Sequence, residues 1–255
     1  MELEVLVTVK TYPLPSEAVG VREHVCTAGV LRDGSFVRLY PIDYRYRPYW
    51  EWYKKYDWIR VEAMKAKHDP RPESYRPDPE RQIVCVGHLD TRGNWGERRR
   101  FVLAKGMQTM CELQRLQQSE CSLGIVRPRE VLDFRVEDDT KEWKPRWARL
   151  FKEELLFGPQ QKPLEKIPYK FSYEFLCADP SCNGHTMMIT DWEVGQLYRR
   201  MRDKFGDEHV AVSKVRDKFL GSMCAPSVDT HFFVGTVLEH GSWIILGVFC
   251  PKKTA

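Results

Sequence analysis

The chain has no long hydrophobic run and only a small excess of positive charge. No apolar stretch approaches the roughly 18 residues that a membrane helix requires. The N-terminus alternates apolar and polar residues and carries Glu2 and Glu4, whereas a secretory signal starts basic and continues apolar. We therefore expect a cytoplasmic protein without a membrane partner. The net charge of +4 does not by itself indicate a nucleic-acid ligand.

Sequence motifs of common catalytic and cofactor sites are also missing. The chain has no P-loop, no nucleophile elbow and no glycine-rich dinucleotide loop. Short acidic-x-Lys patterns of metal-dependent nucleases occur at Asp139–Lys141 and Glu142–Lys144. They lie close to Asp133 in a segment too polar for a buried strand. The sequence therefore identifies no catalytic residues. A metal-dependent nuclease is one hypothesis for the function, as an alternative to nucleic-acid binding without catalysis.

Hydrophobic patterning predicts an α+β fold of small β-barrel modules, of the OB or PUA type, with a few helices. Strands are expected at 3–11, 56–64 and 82–89, and a hairpin at 25–40 turns at Asp33-Gly34. Helices are expected at 101–118 and 191–205. Four prolines between residues 69 and 79 predict an extended loop without a helix or strand interior.

The same patterning predicts two parts separated by a charged connector. Residues 1–140 form an OB-like β-barrel region, and residues 141–165 form the connector. Residues 166–255 form an α+β region that completes a second barrel-like module.

Aromatic and basic residues are concentrated in one segment, 36–62. Ten of its 27 residues are aromatic, six are basic and four are acidic. Single-stranded nucleic acid is held by aromatic faces that stack bases and by cations that follow the phosphates. The alternative is that these residues are core or support a loop. The predicted nucleic-acid-binding residues are Arg38, Tyr44, Arg45, Arg47, Tyr49, Trp50, Trp52, Lys54 and Lys55.

A second pattern is a group of metal-ligand residues at Cys177, Cys182 and His185. Thiolates and imidazole are preferred zinc ligands, so these residues predict a structural zinc site. A closed site needs a fourth ligand, for which the candidates are Cys224, Cys250 and Asp179. The alternative is two ordinary cysteines at the end of a strand and a hydrogen-bonded histidine. No other cofactor is indicated, and the eight cysteines of such a chain are expected to be reduced.

Two stretches, Val25–Val30 followed by Gly34–Pro41, and Ser122–Pro128, resemble the prokaryotic dual OB-containing proteins of bacterial conflict and antiviral gene neighbourhoods. Residues 166–173, 191–193 and 233–236 resemble an uncharacterised family of bacterial proteins of similar length. The resemblance implies OB-like barrels, which commonly bind oligonucleotides, and it supplies no catalytic residues.

These observations together predict a nucleic-acid-binding module for single-stranded DNA or RNA. The resemblance implies an accessory or sensor component of an antiviral defence system, with a defence-operon protein as a further partner. The alternatives are the nuclease and a non-catalytic protein-interaction subunit.

Overall fold

The first part of the chain is a closed five-stranded barrel. The computed structural model describes residues 1–16, 23–151 and 162–254. The strands of this part are β1 (Glu2–Lys10), β2 (Leu14–Pro15), β3 (Glu23–Val30), β4 (Phe36–Ile42), β5 (Asp57–Lys65), β6 (Ser74–Pro77) and β7 (Val84–His88). Because β1 pairs with both β3 and β5, the sheet closes in the order β1-β3-β4-β6-β5. The predicted α+β fold with a small OB-like barrel is confirmed.

The predicted extended loop at 69–79 is wrong in one respect, since it contains the strand β6 that completes the barrel. β6 pairs in parallel with β4 and antiparallel with β5. Pro72 and Pro77 flank a stretch that contains no proline, so the amides of residues 73–76 stay available for pairing.

The second part contains two three-stranded sheets and most of the helices. Its elements are α1 (Arg92–Val102), α2 (Met110–Arg115), β8 (Leu123–Val126), β9 (Pro128–Asp138), α3 (Pro145–Leu150), β10 (Tyr169–Cys177), β11 (His185–Met188), α4 (Trp192–Phe205), α5 (Glu208–Arg216), β12 (His231–Thr236) and β13 (Trp243–Phe249). The sheets run β11-β10-β9 and β13-β12-β8, and a bridge between Ile189 and Ile245 joins them. β9 pairs with β10, so strands on the two sides of the expected connector share one sheet. Residues 152–161 of that connector lie outside the described residues.

The single helix predicted at 101–118 is wrong, because the chain forms two helices with a break between them. α1 ends at Val102, and Gly106 has a φ of 79°, which interrupts helical geometry. Thr109 then starts α2 with a capping box, in which its side chain and that of Glu112 each accept a backbone hydrogen bond. The predicted helix at 191–205 is observed as α4, with Asp191 as its N-cap.

The two parts pack through β1, whose two faces are both buried. Leu3, Val5 and Val7 belong to the barrel interior, while Leu6 and Val9 face outward. These outward residues share a core cluster with side chains of β8, β12 and β13. The barrel and the second part therefore form one continuous hydrophobic body. No helix among the described residues is long and apolar enough to cross a membrane.

Candidate functional site

Four metal-ligand side chains converge at one end of the β10–β11 hairpin. Cys111, Cys177, Cys182 and His185 place their sulfur or nitrogen atoms within 4.8 Å of one another. The Sγ atoms of Cys111 and Cys177 are 3.6 Å apart. The Nε2 atom of His185 lies 3.6 Å from Sγ of Cys111 and 3.2 Å from Sγ of Cys182. These three cysteines and the histidine form what we term the Cys3His cluster.

Local structure explains how the hairpin presents three of these side chains. Cys177 ends β10, His185 begins β11, and the turn between them brings Cys182 back toward the strand. Gly184, with a φ of 107°, adopts a backbone conformation that favours glycine. The amides of Cys177 and Gly184 both lie 3.4 Å from Sγ of Cys182, where they donate N–H···S hydrogen bonds.

The fourth member of the cluster comes from outside the hairpin. Cys111 lies in the first turn of α2, whereas the sequence suggested Cys224, Cys250 or Asp179. Cys224 instead donates to the Phe219 carbonyl oxygen, and the Asp179 carboxylate accepts hydrogen bonds from Ser181. Cys250 lines a separate cleft. The helix predicted at 101–118 included Cys111, and the capping box at Thr109 was the signal that could have placed this cysteine in a first helical turn.

Several of the predicted nucleic-acid-binding residues are engaged in internal contacts. Arg38 is 2 % exposed and donates to the hydroxyl and carbonyl oxygens of Ser122 at 2.7 and 2.9 Å. Arg47 is 8 % exposed and pairs with Asp43 and Glu51. These guanidinium groups are therefore committed to the fold and do not face a ligand surface.

Three further predicted residues are also held by the protein. The hydroxyl of buried Tyr44 donates to the Tyr53 carbonyl oxygen at 2.9 Å. Arg45 pairs with Glu23 at 2.9 Å, and Lys55 pairs with Asp191 at 2.6 Å and with Glu193 at 3.1 Å. The ion pair of Lys55 connects the turn before β5 to the start of α4.

The remaining predicted residues lie on the surface. Tyr49 is 82 % exposed, Trp50 is 72 % exposed and Trp52 is 37 % exposed. Lys54 is also exposed. Tyr49 and Trp50 lie in the second of two short 3-10 turns, Tyr44–Tyr46 and Tyr49–Glu51, and Trp52 and Lys54 follow it.

A cleft of about 420 Å³ lies where the barrel meets α1, α4 and β13. Its basic lining residues are Lys10, Lys54, Lys55 and Arg98, and we term it the basic cleft. The predicted binding residues do not include Lys10 and Arg98, which lie far from the aromatic segment in the chain. Glu193 is the acidic side chain of the lining, and it pairs with Lys55.

The cation of Lys10 is held mainly by aromatic faces. Its Nζ lies 4.0 Å from the ring centre of Tyr44 and 4.5 Å from that of Trp192. It also donates to the Tyr53 carbonyl oxygen at 3.4 Å. Burial, reinforced by the neighbouring Lys55 cation, lowers the pKa of Lys10 to about 8. A bound anion would therefore stabilise the charged form of Lys10.

An aromatic row connects the exposed surface with the basic cleft. Its members are Tyr49, Trp52, Tyr44 and Trp192, and successive ring centres are 5.8, 5.3 and 5.5 Å apart. Tyr49 is the exposed end and Trp192 lines the cleft. The row therefore runs from solvent to the cations of the cleft.

The wall of the basic cleft that contains Tyr56 and Trp95 has strained backbone. Tyr56 and Trp95 have φ values of 67° and 63°, a region that bulky residues rarely adopt. Their rings contact each other with centres 5.6 Å apart, and the Arg98 guanidinium lies 3.8 Å from the Tyr56 ring centre. Strain of this kind is concentrated at functional sites in known proteins.

The acidic residues of the nuclease alternative are separated in the fold. Asp133 pairs with Arg216, and Asp139 pairs with Lys166. Within residues 1–16, 23–151 and 162–254, the Cys3His cluster is the one group of three or more potential ligands close enough to hold a metal ion.

Two family models match the chain. One is described as Domain of unknown function (DUF8757) and matches residues 106–255, and the other, Domain of unknown function (DUF8758), matches residues 1–104. The matches meet at residue 105, between α1 and α2, whereas the sequence analysis places a connector at 141–165. No curated protein matches the chain.

Proposed function

We propose that this chain, which belongs to the family described as Domain of unknown function (DUF8757), binds single-stranded nucleic acid in the basic cleft and on the exposed rings of the aromatic row, Tyr49 and Trp52. One observation carries the proposal. Lys10, Lys54 and Arg98 line one cleft with aromatic rings, and no carboxylate of the described residues forms an ion pair with them.

Cations without a carboxylate partner favour an anionic ligand. Phosphate oxygens accept charge-assisted hydrogen bonds from lysine and arginine, and these bonds are about twice as strong as neutral ones. The lowered pKa of Lys10 supports the same conclusion, because a nearby phosphate would offset the cost of keeping that ammonium charged. Lys55 is excluded from this role by its pairing with Asp191.

The aromatic row favours a single strand over a duplex. Bases of a single strand can stack on aromatic faces, whereas a duplex hides its base faces in the helix stack. Tyr49 and Trp52 offer such faces at the surface, and Trp192 lies at the cleft. A strand that stacks on Tyr49 would bring its neighbouring phosphates toward Lys54.

Fluorescence anisotropy with labelled single-stranded DNA, single-stranded RNA and duplex DNA tests the proposal. We expect at least one single strand to bind more tightly than the duplex. Tyr49→Ala should weaken binding by roughly tenfold, because one stacked base contributes about 1–3 kcal/mol. Phe205→Ala is a matched control, since Phe205 is an exposed aromatic residue at the far end of α4.

Absence of binding to every oligonucleotide at low salt would refute the proposal. Equal weakening by Tyr49→Ala and Phe205→Ala would refute the stacking role. In the first case, the exposed Tyr49 and Trp50 would instead mark a surface for a protein partner.

The resemblance to dual OB-containing proteins supports a biological setting for this binding. We propose that the chain is an accessory or sensor component of a bacterial antiviral defence system, alongside a protein encoded in the same operon. Phage challenge of cells that carry the intact gene cluster tests this setting. Lys54→Ala should reduce protection if nucleic-acid binding is required, and unchanged protection would contradict that requirement.

A further inference from the structure

We infer that Cys111, Cys177, Cys182 and His185 together bind one structural Zn²⁺ ion, which joins α2 to the β10–β11 hairpin. This assignment is independent of the proposed function. It differs from the sequence expectation in its fourth ligand, which no spacing in the chain indicated.

The distances within the cluster match those between ligands around a single ion. Tetrahedral zinc has Zn–S bonds of about 2.3 Å and Zn–N bonds of about 2.0 Å, which separates two sulfurs by about 3.8 Å and a sulfur and a nitrogen by about 3.6 Å. The Cys111–Cys177 sulfur separation is 3.6 Å, and the His185 nitrogen lies 3.6 and 3.2 Å from two sulfurs. Four side chains, from α2, β10, the β10–β11 turn and β11, thus bring their ligand atoms within 4.8 Å of one another.

A disulfide does not account for this arrangement. Bonded sulfurs are about 2.05 Å apart, whereas the sulfurs of Cys111 and Cys177 are 3.6 Å apart and both cysteines are free. Three thiols and an imidazole are the donor set that structural zinc sites use.

The surroundings of Cys182 suit a thiolate ligand. Two backbone amides, those of Cys177 and Gly184, donate hydrogen bonds to its sulfur and hold it in position. The His185 ring also packs against Phe175, with ring centres 5.2 Å apart, which fixes its orientation. The hairpin is therefore arranged to present its ligands before an ion arrives.

The number of protein ligands identifies the role of the ion. Four protein donors fill a tetrahedral zinc site and leave no position for water or substrate, as in closed structural sites. α2 has only six residues, and Cys111 lies 66 residues before Cys177 in the chain. A zinc ion would therefore connect a short helix to a distant hairpin.

Elemental analysis of the purified full-length protein by plasma mass spectrometry provides the first test. We expect one zinc per chain, and replacement by Co²⁺ should give the visible absorption bands of tetrahedral cobalt with thiolate charge-transfer bands. Metal-free wild-type protein that does not take up Zn²⁺ or Co²⁺ under reducing conditions would overturn the inference.

Single substitutions then test the fourth ligand. Cys111→Ser should lose the zinc, whereas Cys121→Ser and Cys224→Ser should keep it. Cys121 is a matched control because it lies between α2 and β8 and donates to the Leu123 carbonyl oxygen. Full zinc content in Cys111→Ser, or loss in Cys224→Ser with Cys111→Ser unaffected, would overturn the assignment. Should Cys111→Ser not fold, the cobalt spectrum of the wild type still decides whether three thiolates bind the metal.

Discussion

Removal of one cation from the basic cleft should change how strongly salt weakens nucleic-acid binding. The most informative substitution is Lys54→Ala, because Lys54 is exposed and its side chain takes part in no ion pair among the described residues. Its loss should therefore remove a phosphate contact without disturbing the fold.

The size of the effect follows from the number of cations available. Lys10 and Lys54 can each neutralise one phosphate. Lys55 is already paired with Asp191, and Arg98 is 7 % exposed and donates to the Leu89 carbonyl oxygen. For single strands, each neutralised phosphate contributes about −0.7 to the slope of log K against log salt concentration. The wild type should therefore have a slope of about −1.4, and Lys54→Ala a slope of about −0.7.

These slopes correspond to clearly different losses of affinity. Between 50 and 200 mM salt, the wild type should lose about 7-fold in affinity and Lys54→Ala about 2.6-fold. Anisotropy titrations at four salt concentrations measure both slopes. Lys204→Ala is the control, because it also removes a lysine but lies about 18 Å along α4 from Trp192.

Two results would refute this reasoning. If Lys54→Ala keeps the slope of the wild type, Lys54 does not contact a phosphate. If Lys204→Ala lowers the slope by the same amount, the salt effect reflects overall charge and not the basic cleft. Measurement of thermal unfolding for each variant ensures that the compared proteins are folded.

Three further predictions concern pH and stability. Affinity for single strands should fall as pH rises through about 8, because Lys10 loses its proton there. In anisotropy measurements at pH 7 and pH 9, Lys10→Met should abolish this pH dependence. Arg38→Ala should lower the free energy of unfolding by about 3 kcal/mol, because a charged donor's hydrogen bonds contribute about 1.5–3 kcal/mol each. Urea titration checks this, and binding by the folded variant should be unchanged. Gly29→Ala should lower the free energy of unfolding by about 2–3 kcal/mol, because the added Cβ would overlap the Leu6 carbonyl oxygen. In the same urea titration, Gly87→Ala should leave this free energy unchanged, because its Cβ would meet open space.

Local patterns in the sequence predicted much of the secondary structure. Alternation located β1, strand-forming residues located β3, β4, β5 and β7, and the Asp33-Gly34 turn placed the hairpin. The prolines concealed β6, because a strand of four residues needs few free amides and can end on Pro77. Strand pairing, which closes the barrel, involves residues distant in the chain and left no local signal.

The candidate sites divide in the same way. Cys177, Cys182 and His185 lie within nine residues, so their spacing indicated a ligand group. The high content of aromatic and basic residues in segment 36–62 indicated a binding surface. Composition alone did not show that Tyr49 is exposed and Arg47 is buried, because burial depends on which distant parts of the chain pack against the segment.

The features that the residues alone predicted are therefore local: the hairpin turn at Asp33-Gly34, the helix at 191–205 and the three ligands of the β10–β11 hairpin. Only the tertiary structure brought Cys111 to that hairpin, and Lys10 and Arg98 to one cleft. The physical reason is that hydrogen-bond and burial periodicity act between near neighbours in the chain. Contacts between distant residues exist only when the barrel and the second part share one hydrophobic core.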